Sequence, residues 1–224
     1  MGWGTNRIFV YYGDRTRNTM YIPRQYARHD DDAARQIIRS YPLGALLSVV
    51  NGEPFVSYLP FTIARVSPNV ILTAHCARAN PHWRHFAHGK VLITFRGPDG
   101  YISPRFHQDR RVNVPSWNYI SVHCTGTAEL ASDAETAAIL RGLVDQMERD
   151  AENPWSIDEM DPEVAARLTK GIVAFSVCVD EITAKFKLSQ NRSDGDVEGL
   201  IRGLRESGSQ TDTALADAMA LFNA

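Results

Sequence analysis

The segment from Thr73 to Trp83, TAHCARANPHW, gathers the most polar chemistry in the chain. It leaves a strand-like apolar run and enters a short helix within a few residues. Arg78 and Asn80 are therefore expected where backbone N–H groups and the positive end of a helix are open to an anion. Arg78 adds a planar fork that suits a phosphate. Thr73 and His75 share one face of the preceding strand. The plainer reading is an arginine that caps a neighbouring carbonyl or pairs with a surface carboxylate, and the sequence leaves both open.

A second group is spread over three segments. Tyr101-Ile102-Ser103-Pro104 and Pro115-Ser116-Trp117-Asn118-Tyr119 flank a polar stretch, 105–115, that holds Arg105, Arg110 and Arg111. That stretch has few apolar anchors, so it reads as a mobile loop able to gate a pocket. Further on, KFKLSQNR (185–192) places Lys185 and Lys187 on one strand face and offers the amides of Gln190 and Asn191 to a polar heterocycle. A polar turn with a helix cap explains the same residues. His82, His85 and His88 recur every three residues, which invites a metal reading. They lack the cysteine or carboxylate companions of a closed site, so no metal is expected and a solvated helix edge is. None of GxSxG, HExxH, Walker A or GxGxxG is present, and no catalytic residue can be named.

The elements that must position these groups follow from pattern. Asp30 to Asp32 lead into a helix ended by Pro42. Leu43 to Val50 and Pro54 to Val66 read as strands around an Asn51-Gly52 hairpin turn. Val70 to Cys76, Lys90 to Arg96 and Tyr101 to Ser103 read as further strands, the last two separated by a turn at Gly97 to Gly100. Trp117 to Leu130 is a long strand. Ser132 and Glu135 form a capping box, and Asp161-Pro162 opens another helix. Ile172 to Lys187 returns as a strand, with helices at 193–208 and 211–222. About six closely spaced strands without helical crossovers argue for an antiparallel barrel with flanking helices rather than a doubly wound sheet.

Composition is ordinary for a globular chain of 224 residues, and a formal charge of -2 leaves no footprint for nucleic acid. Cys76, Cys124 and Cys178 are too sparse for a disulfide framework and read as buried apolar groups in a reducing, cytoplasmic setting. No stretch approaches a membrane span, and no secretory leader is evident. Residues 1–19 read as a dispensable extension before a second possible start at Met20.

MYIPRQY (20–26), ARANPHW (77–83), YISP (101–104), VPSWNYISVHCTG (114–126) and KFKLSQNR (185–192), in that order, resemble the PaiB family of FMN-binding negative transcriptional regulators. The likeness runs from Met20 to about Gly208, with a helix at 209–224 beyond it. It implies a Greek-key-like antiparallel split barrel related to pyridoxamine-phosphate oxidase, mainly β with C-terminal helices, and a homodimer with FMN at the subunit interface. Carried over by motif, Thr73, His75, Arg78 and Asn80 would meet the phosphate. Ile102 and Ser103 would lie near the ring, with Trp117, Asn118, Lys187 and Gln190 assisting. The loop after YISP departs from the family pattern: it reads Arg105-Phe106-His107 and is shorter. No helix-turn-helix pair is evident, so direct DNA binding stays open. An FMN-dependent oxidoreductase is the alternative, and a haem-handling protein, with His75 or His123 as axial ligand, is a weaker one.

Overall fold

The structure is a computed structural model that describes residues 20–28, 31–67 and 69–223. The expected extension at 1–19 lies outside the described residues, as do Asp30 and Pro68. In chain order the elements are β1 (Ala27–Arg28), α1 (Asp31–Ser40), β2 (Leu43–Val50), β3 (Glu53–Pro60), β4 (Thr62–Arg65), β5 (Ile71–Ala77), β6 (Val91–Ile102), β7 (Ser116–Leu130), α2 (Asp133–Met147), α3 (Pro162–Thr169), β8 (Ile172–Lys187), α4 (Asp194–Arg205) and α5 (Gln210–Phe222). A 3-10 helix at Pro81–His88 links β5 to β6.

The strands form one antiparallel sheet in the order β3-β2-β6-β7-β8-β5-β4, with β1 added to β8. The two edge strands, β3 and β4, are separated in sequence by Phe61 alone. A sheet whose first and last strands are one residue apart must curl until its edges meet. Pro60, without an N–H, ends the β3 edge. Phe61 then turns inward: it is fully buried, its N–H reaches the Pro42 carbonyl at 2.9 Å, and its ring meets Phe95 and Phe175 edge-on. The result is the expected antiparallel barrel, split at the β3/β4 seam.

Two strand expectations are corrected here. The run from Pro54 to Val66 is two strands, because the chain changes edges at Phe61. Gly97 to Gly100 is no turn: β6 continues through it, and the pairing with β7 shifts register between Arg96 and Asp99. Arg96 and Trp117 both grip the Asp99 carboxylate across this bulge. The Asn51-Gly52 turn stands as read, both residues at positive φ. So do the Ser132–Glu135 capping box and the Asp161 N-cap.

The first part of the stretch after β6 is anchored, which the expectation of a mobile loop over 105–115 did not include. Phe106, His107 and Gln108 are pinned to α4. The Phe106 carbonyl and ring lie directly on Gly199 and Gly203, where any Cβ would collide with them. The Gln108 N–H donates to Asp196 at 2.9 Å, and the His107 side chain is buried beside the same carboxylate. α5 in turn packs on β6 and α4, with Leu215 and Met219 fully buried. The end of β6 is thereby held by two helices. None of the described helices is long and apolar enough to cross a membrane.

This clamp predicts opposite signs for two glycine-to-alanine changes. Gly142 in α2 has nothing within 4 Å, so Gly142→Ala should gain the ordinary helix propensity, up to about 1 kcal/mol. At Gly199 the same gain is outweighed by collision with the Phe106 carbonyl, and Gly199→Ala should lose about 1–2 kcal/mol net. Urea unfolding of the two variants checks this; equal midpoints would show that the loop does not rest on α4.

Candidate functional site

The segment around Arg78 is built differently from the open anion site that its sequence suggested. The Arg78 N–H donates to the Gly171 carbonyl and the Asn80 N–H to that of Ala77, so neither backbone group is free. The Arg78 guanidinium donates through Nε to the Lys170 carbonyl at 2.8 Å and through Nη2 to that of Ile172 at 2.7 Å. It therefore straps the α3–β8 junction to the end of β5. The Asn80 side chain caps the following 3-10 helix by accepting from the His82 N–H, and donates to Ser57 Oγ at 2.9 Å. Thr73 is buried against the Thr62 hydroxyl, 2.7 Å away. His75 differs: its Nδ1 is buried without a hydrogen-bond partner, and burial pushes its pKa down. A cleft of about 530 Å³ opens beside Arg78, Trp83, Asp133, Thr136 and Lys170.

The histidine series is also corrected. His82 is fully buried rather than solvated. Its Nδ1 lies 2.9 Å from Ser57 Oγ, and burial, with His85 close by, lowers its pKa to about 4. His85 pairs with Ser48 Oγ at 3.0 Å. Among the described residues no group of three or more potential metal ligands is assembled.

The second group meets at the other end of the barrel. Register places Tyr101 opposite Trp117, and Tyr119 opposite Lys187, with Ser121 opposite Lys185 one rung on. Alternation along β7 turns Asn118, Ile120 and Val122 into the core and leaves Trp117 and Tyr119 on the outer face. Trp117 and Tyr101 are each about half exposed (49% and 48%), their rings 6.4 Å apart. Lys187 Nζ donates to Ser116 Oγ at 2.8 Å and to the Trp117 carbonyl at 2.7 Å. Burial, then the charge of Lys185, lowers its pKa. Lys185 is only 7% exposed: its Nζ donates to the Tyr21 carbonyl at 3.1 Å and lies over the Tyr119 and Tyr21 rings.

The remaining expected residues work inward. Ile102 is in the core, and Ser103 caps a short turn through the Arg105 N–H. Asn118 is buried on Ser189 and the Met219 sulfur. Gln190 folds back, accepting from the Leu188 N–H and donating to the Phe186 carbonyl. Of this group only Trp117 and Lys187 face outward. Tyr101, Tyr119, Lys185 and Tyr21 join them there. Strand alternation was the available signal for Tyr119; nothing local marks Tyr21.

The two groups are far apart within one chain. His75 pairs with Ala174 near the start of β8, and Tyr119 with Lys187 at its end. The intervening strand amounts to about 40 Å of extended backbone. The outward aromatic pair beside two ammonium groups suits a flat ligand that carries negative charge.

Comparisons with known proteins agree with this reading of fold and ligand class. Residues 20–181 match the family described as "Putative FMN-binding domain". The protease synthase and sporulation protein PAI 2 of Bacillus subtilis is 32% identical over 201 residues, 89% of this chain and 96% of that protein. Among solved structures, the flavocytochrome Anf3 of Azotobacter vinelandii superposes with a TM-score of 0.58 at 24% identity, covering 74% of this chain and 72% of that one. An FAD- and haem-binding protein of Mycobacterium smegmatis gives 0.55 at 20% identity, covering 77% and 79%. With a split barrel, a family match over most of its length and a full-length relative above 30% identity, the chain belongs to the PaiB-type family of FMN-binding domains.

Proposed function

We propose that this protein is a cytoplasmic homodimer that binds FMN and acts as a flavin-responsive negative transcriptional regulator. The observation that carries the flavin reading is the outer face at the end of β6, β7 and β8. There Tyr101 and Trp117 offer aromatic surface, and Lys185 and Lys187 offer positive charge without a carboxylate contact among the described residues. These residues fit an isoalloxazine ring and a phosphorylated tail. The bound group would supply the redox chemistry; the chain supplies a platform and fixes its orientation. The dimer reading rests on the same face, which continues onto β2 and β3 as exposed Leu43, Val49, Val56 and Tyr58. A partner copy would cover that apolar band and bring its own Arg78–His75 end towards a flavin seated at the interface. The free thiols of Cys76, Cys124 and Cys178 accord with a reducing compartment.

A specific observation weighs against direct DNA binding and keeps an FMN-dependent oxidoreductase as the second reading. α4 and α5 are joined by a four-residue link that contains Gly208, in the manner of a helix-turn-helix. Yet α5 carries Asp212 and Asp217 and no lysine or arginine, and Arg205 is held by Asp217. A helix of that charge is unsuited to a DNA groove. Repression would then act through a partner or through the ligand.

Titration of FMN into flavin-free protein should quench flavin fluorescence with a dissociation constant of tens of micromolar or tighter, about 6 kcal/mol or more. Absence of binding in that range would contradict the flavin reading. The regulator and enzyme readings separate in a paired assay of bound-flavin reduction by NADH or NADPH and of mobility shift on promoter DNA. A specific shift that survives physiological salt, without reduction, supports the regulator. Reduction with only salt-sensitive DNA binding supports the enzyme.

A further inference from the structure

We propose that the 3-10 helix Pro81–His88 is an acid-sensitive latch: neutral His82, seated on Ser57, holds the tip of the β2–β3 hairpin against the barrel, and protonation of His82 releases it.

The hairpin runs past the strand that supports it. β2 pairs with β6 only from Ala45 to Leu47, so Ser48 to Val50 have β3 alone beside them in the sheet. Ser48, Phe55 and Ser57 share one face of the hairpin by alternation, and the helix lies against that face. Two histidines make the polar contacts. Ser57 Oγ accepts from Asn80 Nδ2 and pairs with His82 Nδ1, each at 2.9 Å. Ser48 Oγ pairs with His85 Nδ1 at 3.0 Å. The Phe55 ring stands edge-on to both imidazoles, its centroid 4.9 Å from each, and the Phe86 ring lies 6.0 Å from that of His82.

This pocket suits a neutral imidazole. His82 is fully buried, and its Nε2 has no hydrogen-bond partner among the described residues. Either neutral tautomer pairs Nδ1 with the Ser57 hydroxyl. An imidazolium has two donors, and the second would be buried with its charge and without an acceptor. The surrounding elements offer little to offset that charge. β2 carries no ionisable residue, and β3 carries only Glu53, exposed at the tip, and the phenol of Tyr58 on its opposite face. β5 adds Cys76, whose thiol burial pushes up, and His75 on its other face. β7 meets the helix with Ala128 and Leu130, and Glu129 alternates away. The helix itself adds Arg84, His85 and His88, and Lys90 beyond it is held by Asp180. Burial and the neighbouring His85 accordingly keep the His82 pKa at about 4, below the ordinary 6.5. The released chain binds the proton more readily than the latched one. The latch is therefore at full strength above about pH 6.5 and weakens as the pH falls towards 4, by a factor of roughly three hundred.

Hydrogen exchange of the full-length protein, read as protection relative to the free-peptide rate at each pH, tests the latch. Between about pH 7.5 and about pH 4.5, residues 48–57 and 81–88 should lose protection by roughly fifty- to a hundredfold, while 91–96 keep theirs. His82→Asn retains a polar atom near the Nδ1 position and cannot titrate, so it should hold its protection at both values. Equal loss in both chains overturns the proposal, and so does equal loss over 91–96, which would be global unfolding. Nitrogen-15 shifts of the imidazoles in the wild type need no variant. His82 should stay neutral down to about pH 5, and a His82 that charges in the folded protein at about pH 6 would contradict the latch.

Discussion

Closure of the sheet at Phe61 is the constraint on which the rest of the molecule depends. One residue joins strands that occupy opposite edges, so the sheet has no flat alternative. The same residue supplies the ring that fills the space created by curling, against Phe95 from β6 and Phe175 from β8. Full burial of such a ring contributes about 1.5–3 kcal/mol. Once the edges meet, β6, β7 and β8 become neighbouring staves of one wall, and their outer faces form a shared surface. Trp117, Tyr101 and the two lysines come from segments up to 86 residues apart in sequence, yet lie on adjacent rungs.

The helices act on that surface from behind. α4 receives Phe106 on its glycine face, and α5 meets β6 at Gly100, so the backbone is held on both sides of Tyr101. Buried Asn118 ties the start of β7 to Ser189 and Met219. Asn118, one of the expected ligand contacts, thus holds the start of β7 in place. A preorganised platform of this kind loses little conformational freedom when a flat ligand lands on it.

Much of the fold was legible in sequence because its signals are local. The Asn51-Gly52 turn, the Ser132–Glu135 box and the Asp161 cap each depend on residues within a few positions of one another. The break at Phe61 and the bulge at Arg96–Asp99 were not legible, since both answer to closure, a non-local demand. The site shows the same division. The outward facing of Trp117 and Lys187 could be read from alternation. The role of Arg78 could not, because its carbonyl partners Lys170 and Ile172 lie more than ninety residues away. Nor could the cover over Lys185, which comes from Tyr21. Expected to be solvated, His82 is buried because the 3-10 helix turns it onto Ser57 of β3.

The central claim is that a flavin lies between two copies of this chain. Sedimentation of the FMN-loaded protein, followed at the visible flavin band, tests it most directly. The account predicts that flavin absorbance moves as one species with twice the 25.0 kDa mass of the chain. Flavin that sediments with a single chain, or remains at the meniscus while the protein moves away, would contradict it.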